Sequence, residues 1–290
     1  MSARGSHAIR SMPIGIKTVE CDVTIRRVRA CACDGHTRCN EPSHAVGRES
    51  EIPLNLPLYR IVEGRRLEGL PPPKAVFTSA IGRYFARSAY HQAASALAFD
   101  RLRRELDAYG SPGGLLERCE QARARELMHS ALFAELAEQF ATPVTMPARA
   151  PTECLAVRPL VDVAIDNAVE GVVRSTFGAA VARYRATHAE DPEIRRVMEI
   201  IAEDEQVHAE LAHDIASWLH DATDASTSIE GILVEDSIRH AARALAQELD
   251  MDPDPSLCTQ AGIPSRLDAL TIWSRLSHRV WHDFAHAAAA

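Results

Sequence analysis

Aromatic residues are scarce in this 290-residue chain, at 5% of the total. Alanine recurs through its middle instead, a bias that favours closely packed helices over a β-sandwich. No run of about 18 apolar residues occurs, so a bilayer-spanning helix is not expected. The opening stretch from Met1 to Arg10 has no apolar segment of the kind a secretory signal carries, and the chain is expected to be cytoplasmic. Basic residues are not in excess: 32 Lys and Arg stand against 40 Asp and Glu, a formal charge of −8, which argues against a phosphate-tracking surface and a nucleic-acid partner. Missing too are a G-x-G-x-x-G or phosphate loop between strand and helix, and a nucleophile elbow. Paired C-x-x-C knuckles are also lacking. Cys21, Cys31, Cys33 and Cys39, with His36 and His44, leave open a structural zinc element, free thiols or one labile disulfide. Cys119, Cys154 and Cys258 read as small apolar filler.

What the chain does have is 46% apolar residues, enough to bury a core without disulfides. Residues 1–73 form one region, broken by Pro53, Pro57 and Pro71-Pro72-Pro73. Val19 to Val28 alternates as a short strand would, and Glu63-Gly64 could close a hairpin over Leu58 to Leu67. This region is expected to be an irregular extension wrapped on the main domain.

The second region, 74–221, reads as four long helices. The first runs from about Thr78 to Tyr109 and stops at Gly110. Ser111-Pro112 opens the second, with serine as cap, and it ends near Phe140. The third spans about Pro159 to His188, and Asp191-Pro192 opens the fourth, which reaches about His220. The connections within each pair are a few residues; the one between pairs is about 18 residues, enough to cross from one end of a bundle to the other. The third region, 222–290, reads as helices near 229–249 and 265–286, separated by Asp252-Pro253-Asp254-Pro255.

Two of the long helices carry Glu-x-x-His: Glu126 with His129, and Glu205 with His208. Residues three apart share a helix face and can present a carboxylate and an imidazole to one metal. Singly the motif is weak, since Glu41…His44 and Glu210…His213 repeat it. The surroundings add weight. Met198, Ile201, Ala202, Ala209 and Ala212 flank Glu205, and Leu132, Phe133 and Leu136 lie beside His129. An unpaired carboxylate buried on such a face costs several kcal/mol. The third helix adds Glu170 in a similar stripe, beside Val163, Val173 and Phe177. Glu170 precedes Glu205 by 35 residues, and Gln92 precedes Glu126 by 34, so the two helix pairs are in nearly matching register. The plainer readings are ion pairs, Glu170 with Arg174 and Glu126 with Arg123, and core histidines satisfied locally.

This pattern resembles the ferritin-like di-iron carboxylate superfamily, in which two helices each give a Glu and the other two Glu-x-x-His. The stretches Gln92-Ala93-Ala94-Ser95…Phe99, Glu170-Gly171-Val172-Val173-Arg174…Phe177-Gly178-Ala179 and Ile201 to Ala209 are similar to a bacterial ferritin-like family. The resemblance implies an all-α fold, an antiparallel four-helix bundle with a long crossover. It implies one metal on residue 92, Glu126 and His129, another on Glu170, Glu205 and His208, and bridging by Glu126 and Glu205. The family carries Glu where this chain has Gln92, a neutral and weaker donor. Three carboxylates cannot neutralise two divalent ions, so hydroxide or an exogenous anion must fill the gap, and one metal position should be weak or empty. Ser88 and Ser95 offer no replacement carboxylate.

The resemblance implies iron, as two ions or one, with manganese or mixed Mn/Fe as alternatives. It further implies oxidation of a small or carrier-bound organic substrate by O₂ or peroxide, with Glu126, Glu170 and Glu205 as the metal-bound carboxylates. Metal storage or scavenging, and a degenerate scaffold, are the competing readings. A homodimer stays open.

Overall fold

A computed structural model describes residues 64–67, 79–147, 155–222 and 228–281. The described residues are helical, with no strand among them. The expected strand over 19–28 and the cysteine cluster near the N-terminus lie outside them. Of the expected hairpin only Gly64–Leu67 is described, a short strap in which Gly64 takes φ 79°.

Helix α1 (Ala80–Ala108) starts at Ser79, whose hydroxyl accepts from the Gly82 amide. Helix α2 (Gly113–Gln139) starts one residue later than its sequence suggests: Pro112 occupies the cap position, and Ser111 makes no side-chain cap. Leu160 to His188 is one continuous run of three parts: α3 (Leu160–Asp166), a π-helical segment (Asn167–Ser175) and α4 (Thr176–His188). Helix α5 (Pro192–Ala222) is capped as expected, the Asp191 carboxylate accepting from the Glu193 and Ile194 amides. Then come α6 (Ile229–Glu248), α7 (Pro255–Ala261) and α8 (Arg266–Arg279). The sequence reading missed α7, although Asp254-Pro255 repeats the cap-then-proline signal of Asp191-Pro192 and the Asp254 carboxylate caps it in the same way.

Short connections make α1 and α2 one close pair, and the 160–188 run and α5 another; α2 packs on α5 and joins the pairs. Two apolar clusters fill the interior of this assembly. Phe85, Phe133, Met198 and Ile201 belong to the first, where the Phe85 and Phe133 rings stack with centroids 6.1 Å apart. Phe99, Leu102, Cys119 and Leu211 belong to the second. Burial pushes the Cys119 thiol up to about 11, so it stays protonated and serves as apolar filler. Polar residues fall between the clusters on α1, α2 and α5: Gln92 between Ala89 and Phe99, Glu126 and His129 between Ala122 and Phe133, Glu205 and His208 between Ile201 and Leu211. A third cluster joins Val172, Val173 and Phe177 to Ile238 and Leu245 of α6, so the C-terminal helices share a core with the π segment. Trp281 belongs to it, donating from its indole to the Val172 carbonyl, and Trp273, packed against it, donates to the Ala242 carbonyl. No helix among the described residues is long and apolar enough to cross a membrane.

Candidate metal centre

Glu126, His129 and Glu205 are fully buried and His208 is 2% exposed. Each sits there because α2 and α5 turn the same face inward every three to four residues. Ligand atoms of Glu126, Glu205 and His208 all lie within 4.8 Å of one another. The two carboxylates stand between the two imidazoles. His208 Nδ1 is 3.4 Å from Glu126 Oε1 and 3.9 Å from Glu205 Oε2. His129 Nδ1 is 3.9 Å from Glu126 Oε2 and 3.8 Å from Glu205 Oε1. Each glutamate thus turns one oxygen towards each histidine.

Hydrogen bonding inside this centre is incomplete. Glu126 Oε2, His129 Nδ1 and both nitrogens of His208 are buried without a hydrogen-bond partner. Such groups cost about 1–3 kcal/mol each when left unmade, so a native interior rarely keeps four together without a ligand. They are carboxylate oxygen and imidazole nitrogen, the donor set for a first-row transition metal. The residues present therefore fit a metal ion.

Electrostatics point the same way. Burial pushes Glu126 up to about 7, outweighing the opposing pull of His129, the Ser95 hydroxyl and Arg65. Burial also lowers His208, keeping the imidazole neutral with a lone pair to give. A divalent ion beside the Glu126 carboxylate would offset that cost of burial.

Two supporting roles escaped the sequence reading, those of Asp204 and Ser95. Asp204 Oδ2 lies 3.0 Å from His129 Nε2, and its other oxygen is 3.1 Å from Arg125 Nε. Burial alone would raise Asp204, but His129 and Arg125 hold it below its usual value. With Nε2 tied to a carboxylate, Nδ1 is the nitrogen left facing the glutamates, the arrangement typical of metal-ligating histidines. Ser95 donates to Glu126 Oε1 at 2.8 Å and accepts from the Arg65 amide at 2.8 Å, linking the strap to the centre.

Glu170 stands outside the group of Glu126, Glu205 and His208. Its carboxylate accepts from the Arg66 amide at 3.1 Å and lies 3.7 Å from Arg174 Nε, the ion pair that was the plainer reading of this residue. Arg174 in turn makes a two-pronged contact with Glu248 at 2.7 and 3.0 Å. Glu126 does not take its plainer reading, because Arg123 bonds Glu120 instead. Gln92 is fully buried with neither polar atom partnered.

A separate cavity of about 350 Å³ lies between the 160–188 run, α5 and α6, lined mainly by Ala168, Val172, Ala216, Val234 and Ile238, with His213 at its side. His213, the histidine of the chance Glu210…His213 repeat, sits 3.3 Å from the Thr176 hydroxyl there. No family model, curated protein or solved structure matches the chain.

Proposed function

We propose that this chain is a ferritin-like four-helix bundle that binds iron, as one or two ions, and uses it to oxidise an organic substrate with O₂ or peroxide. Manganese, alone or mixed with iron, is the alternative metal. The observation that carries the reading is the buried trio Glu126, Glu205 and His208, whose ligand atoms converge within 4.8 Å. Pairing of α1 with α2 and of the 160–188 run with α5, joined through a long connection, supports the bundle.

Glu126, Glu205, His208 and His129 would hold the metal, and bound iron would supply one-electron chemistry with O₂ that no side chain offers. The chain's own contribution is position and dryness. Asp204 fixes the ring of His129, Ser95 fixes an oxygen of Glu126, and the apolar clusters on either side keep water out. A carboxylate-poor site, with Glu170 engaged by Arg66 and Arg174, also suits metal binding without turnover, as storage or scavenging, which is the second reading.

The test is metal content. The protein, loaded anaerobically with Fe(II) and desalted, should retain one or two irons per chain, and should consume O₂ on exposure to air. Glu205→Ala should lose that iron while its circular dichroism stays helical. Full iron content in Glu205→Ala would overturn the assigned centre. Retained iron without O₂ uptake would leave the binding-only reading, and no retained iron, manganese or zinc would leave a scaffold.

A further inference from the structure

Gln92 and Ser88 lie one turn apart on α1, both fully buried, and neither the Gln92 amide nor the Ser88 hydroxyl has a hydrogen-bond partner. The amide end of Gln92 is beside the centre. A Cβ built on Gly64 would stand 3.6 Å from Gln92 Nε2 and 3.1 Å from Ser95 Oγ, and that hydroxyl is the one bonded to Glu126. Ligation through the Gln92 carbonyl alone would leave both its N–H donors and the Ser88 hydroxyl idle in a dry interior, which is costly. The Gln92 N–H donors, held next to a cation site with the Ser88 hydroxyl one turn away on the same helix, want an acceptor that carries negative charge.

Charge counting identifies what is short. Glu126 and Glu205 balance one divalent ion, and Glu170 is spent on Arg66 and Arg174. A second divalent ion would leave an excess of two positive charges in a buried site. An anion bearing two oxygens could ligate metal with one and accept from Gln92 with the other. Where α1 would need a carboxylate of its own, it presents neutral donors instead.

We propose that the centre takes a small carboxylic acid as its anionic co-ligand, the carboxylate accepting from Gln92 Nε2 and the Ser88 hydroxyl. This rests on the metal reading above and narrows its substrate class to molecules carrying a free carboxylate. A glutamate at position 92 would repel that group and take over its ligand role.

The experiment is Mn(II) binding to the full chain, followed through the paramagnetic resonance signal of free Mn(II), a hard ion that avoids thiols. Titrations run in sodium acetate and in sodium perchlorate at equal pH and ionic strength. Acetate should tighten Mn(II) binding about tenfold, the scale of hydrogen bonds to a charged group. By linkage Mn(II) should tighten acetate binding by the same factor. Gln92→Glu should bind Mn(II) more completely and lose the acetate effect; Ser88→Ala, a milder change, should weaken it. Equal affinity in both salts for the wild type, or an undiminished acetate effect in both variants, overturns the carboxylate proposal and leaves the metal centre standing. Absence of Mn(II) binding in either salt overturns both.

Discussion

His129 and His208 occupy matching places on α2 and α5, yet their surroundings differ. His129 has its Nε2 tied to Asp204, a residue 75 positions away, whereas His208 has neither ring nitrogen hydrogen-bonded. The tie fixes which nitrogen of His129 faces the glutamates, and an asparagine at 204 would keep the shape but lose the charge. Asp204→Asn should therefore weaken metal binding by about 10- to 100-fold with helicity unchanged, measured by competition with a chelator of known affinity. Unaltered affinity would mean that His129 takes no part in holding the metal. Glu126, His129, Glu205 and His208 were legible in the sequence because a three-residue spacing on an apolar helix face is a local signal. The supporting roles of Asp204 and Ser95 were not. Both bond across helices, and nothing in their own neighbourhoods distinguishes them from an ordinary solvent-facing acid or a small helix residue.

The π segment is the element the sequence reading did not foresee. Periodicity over 160–188 suits an unbroken helix, and the segment Asn167–Ser175 keeps the helical run while widening its turns, a change that is often found at functional sites. A wider turn takes up an additional residue, in keeping with the 35-residue interval from Glu170 to Glu205 against 34 from Gln92 to Glu126. The Ser175 hydroxyl donates to the Glu170 carbonyl at 2.9 Å, and Asn167 donates from its side chain to the Ala212 carbonyl of α5 at 2.9 Å. Gly171 lets this segment lie close to α5: a Cβ there would meet Ala212 Cβ at 2.7 Å, Asn167 Oδ1 at 2.8 Å and Arg65 Nη1 at 2.9 Å. Ala212 sits on a packed helix and cannot retreat alone. Gly171→Ala should thus cost about 1–3 kcal/mol in urea unfolding, the usual penalty of overpacking, and should loosen the Arg65–Asn167 contact. A substitution without effect would show that the segment can relax into a regular helix. The ends of the four long helices, by contrast, were readable to within a residue or two, because Gly110, Asp191 and Pro192 act through backbone geometry that tertiary packing does not override, whereas the last helix, expected to reach 286, stops at Arg279.

Across the whole molecule the buried polar centre is a destabilising layer between two apolar clusters. Folding must dehydrate Glu126, Glu205, His129 and His208 without giving all of their atoms partners. A ligand that binds only where these four residues converge returns that cost, and it does so in proportion to its concentration. Free metal at 100 times its Kd stabilises the folded state by about 2.7 kcal/mol. For a domain of this size, a rise in Tm of about 5–10 °C follows from some 2–4 °C per kcal/mol. Adding Fe(II) anaerobically, or Mn(II), to chelator-stripped protein should produce that rise in a thermal melt. The same addition to Glu205→Ala should produce none, although the variant itself, relieved of one buried carboxylate, need not melt lower than the stripped wild type. An equal rise in both proteins would place the stabilising metal elsewhere in the chain, and the convergence of α2 and α5 would then be a cost that folding bears for some other purpose.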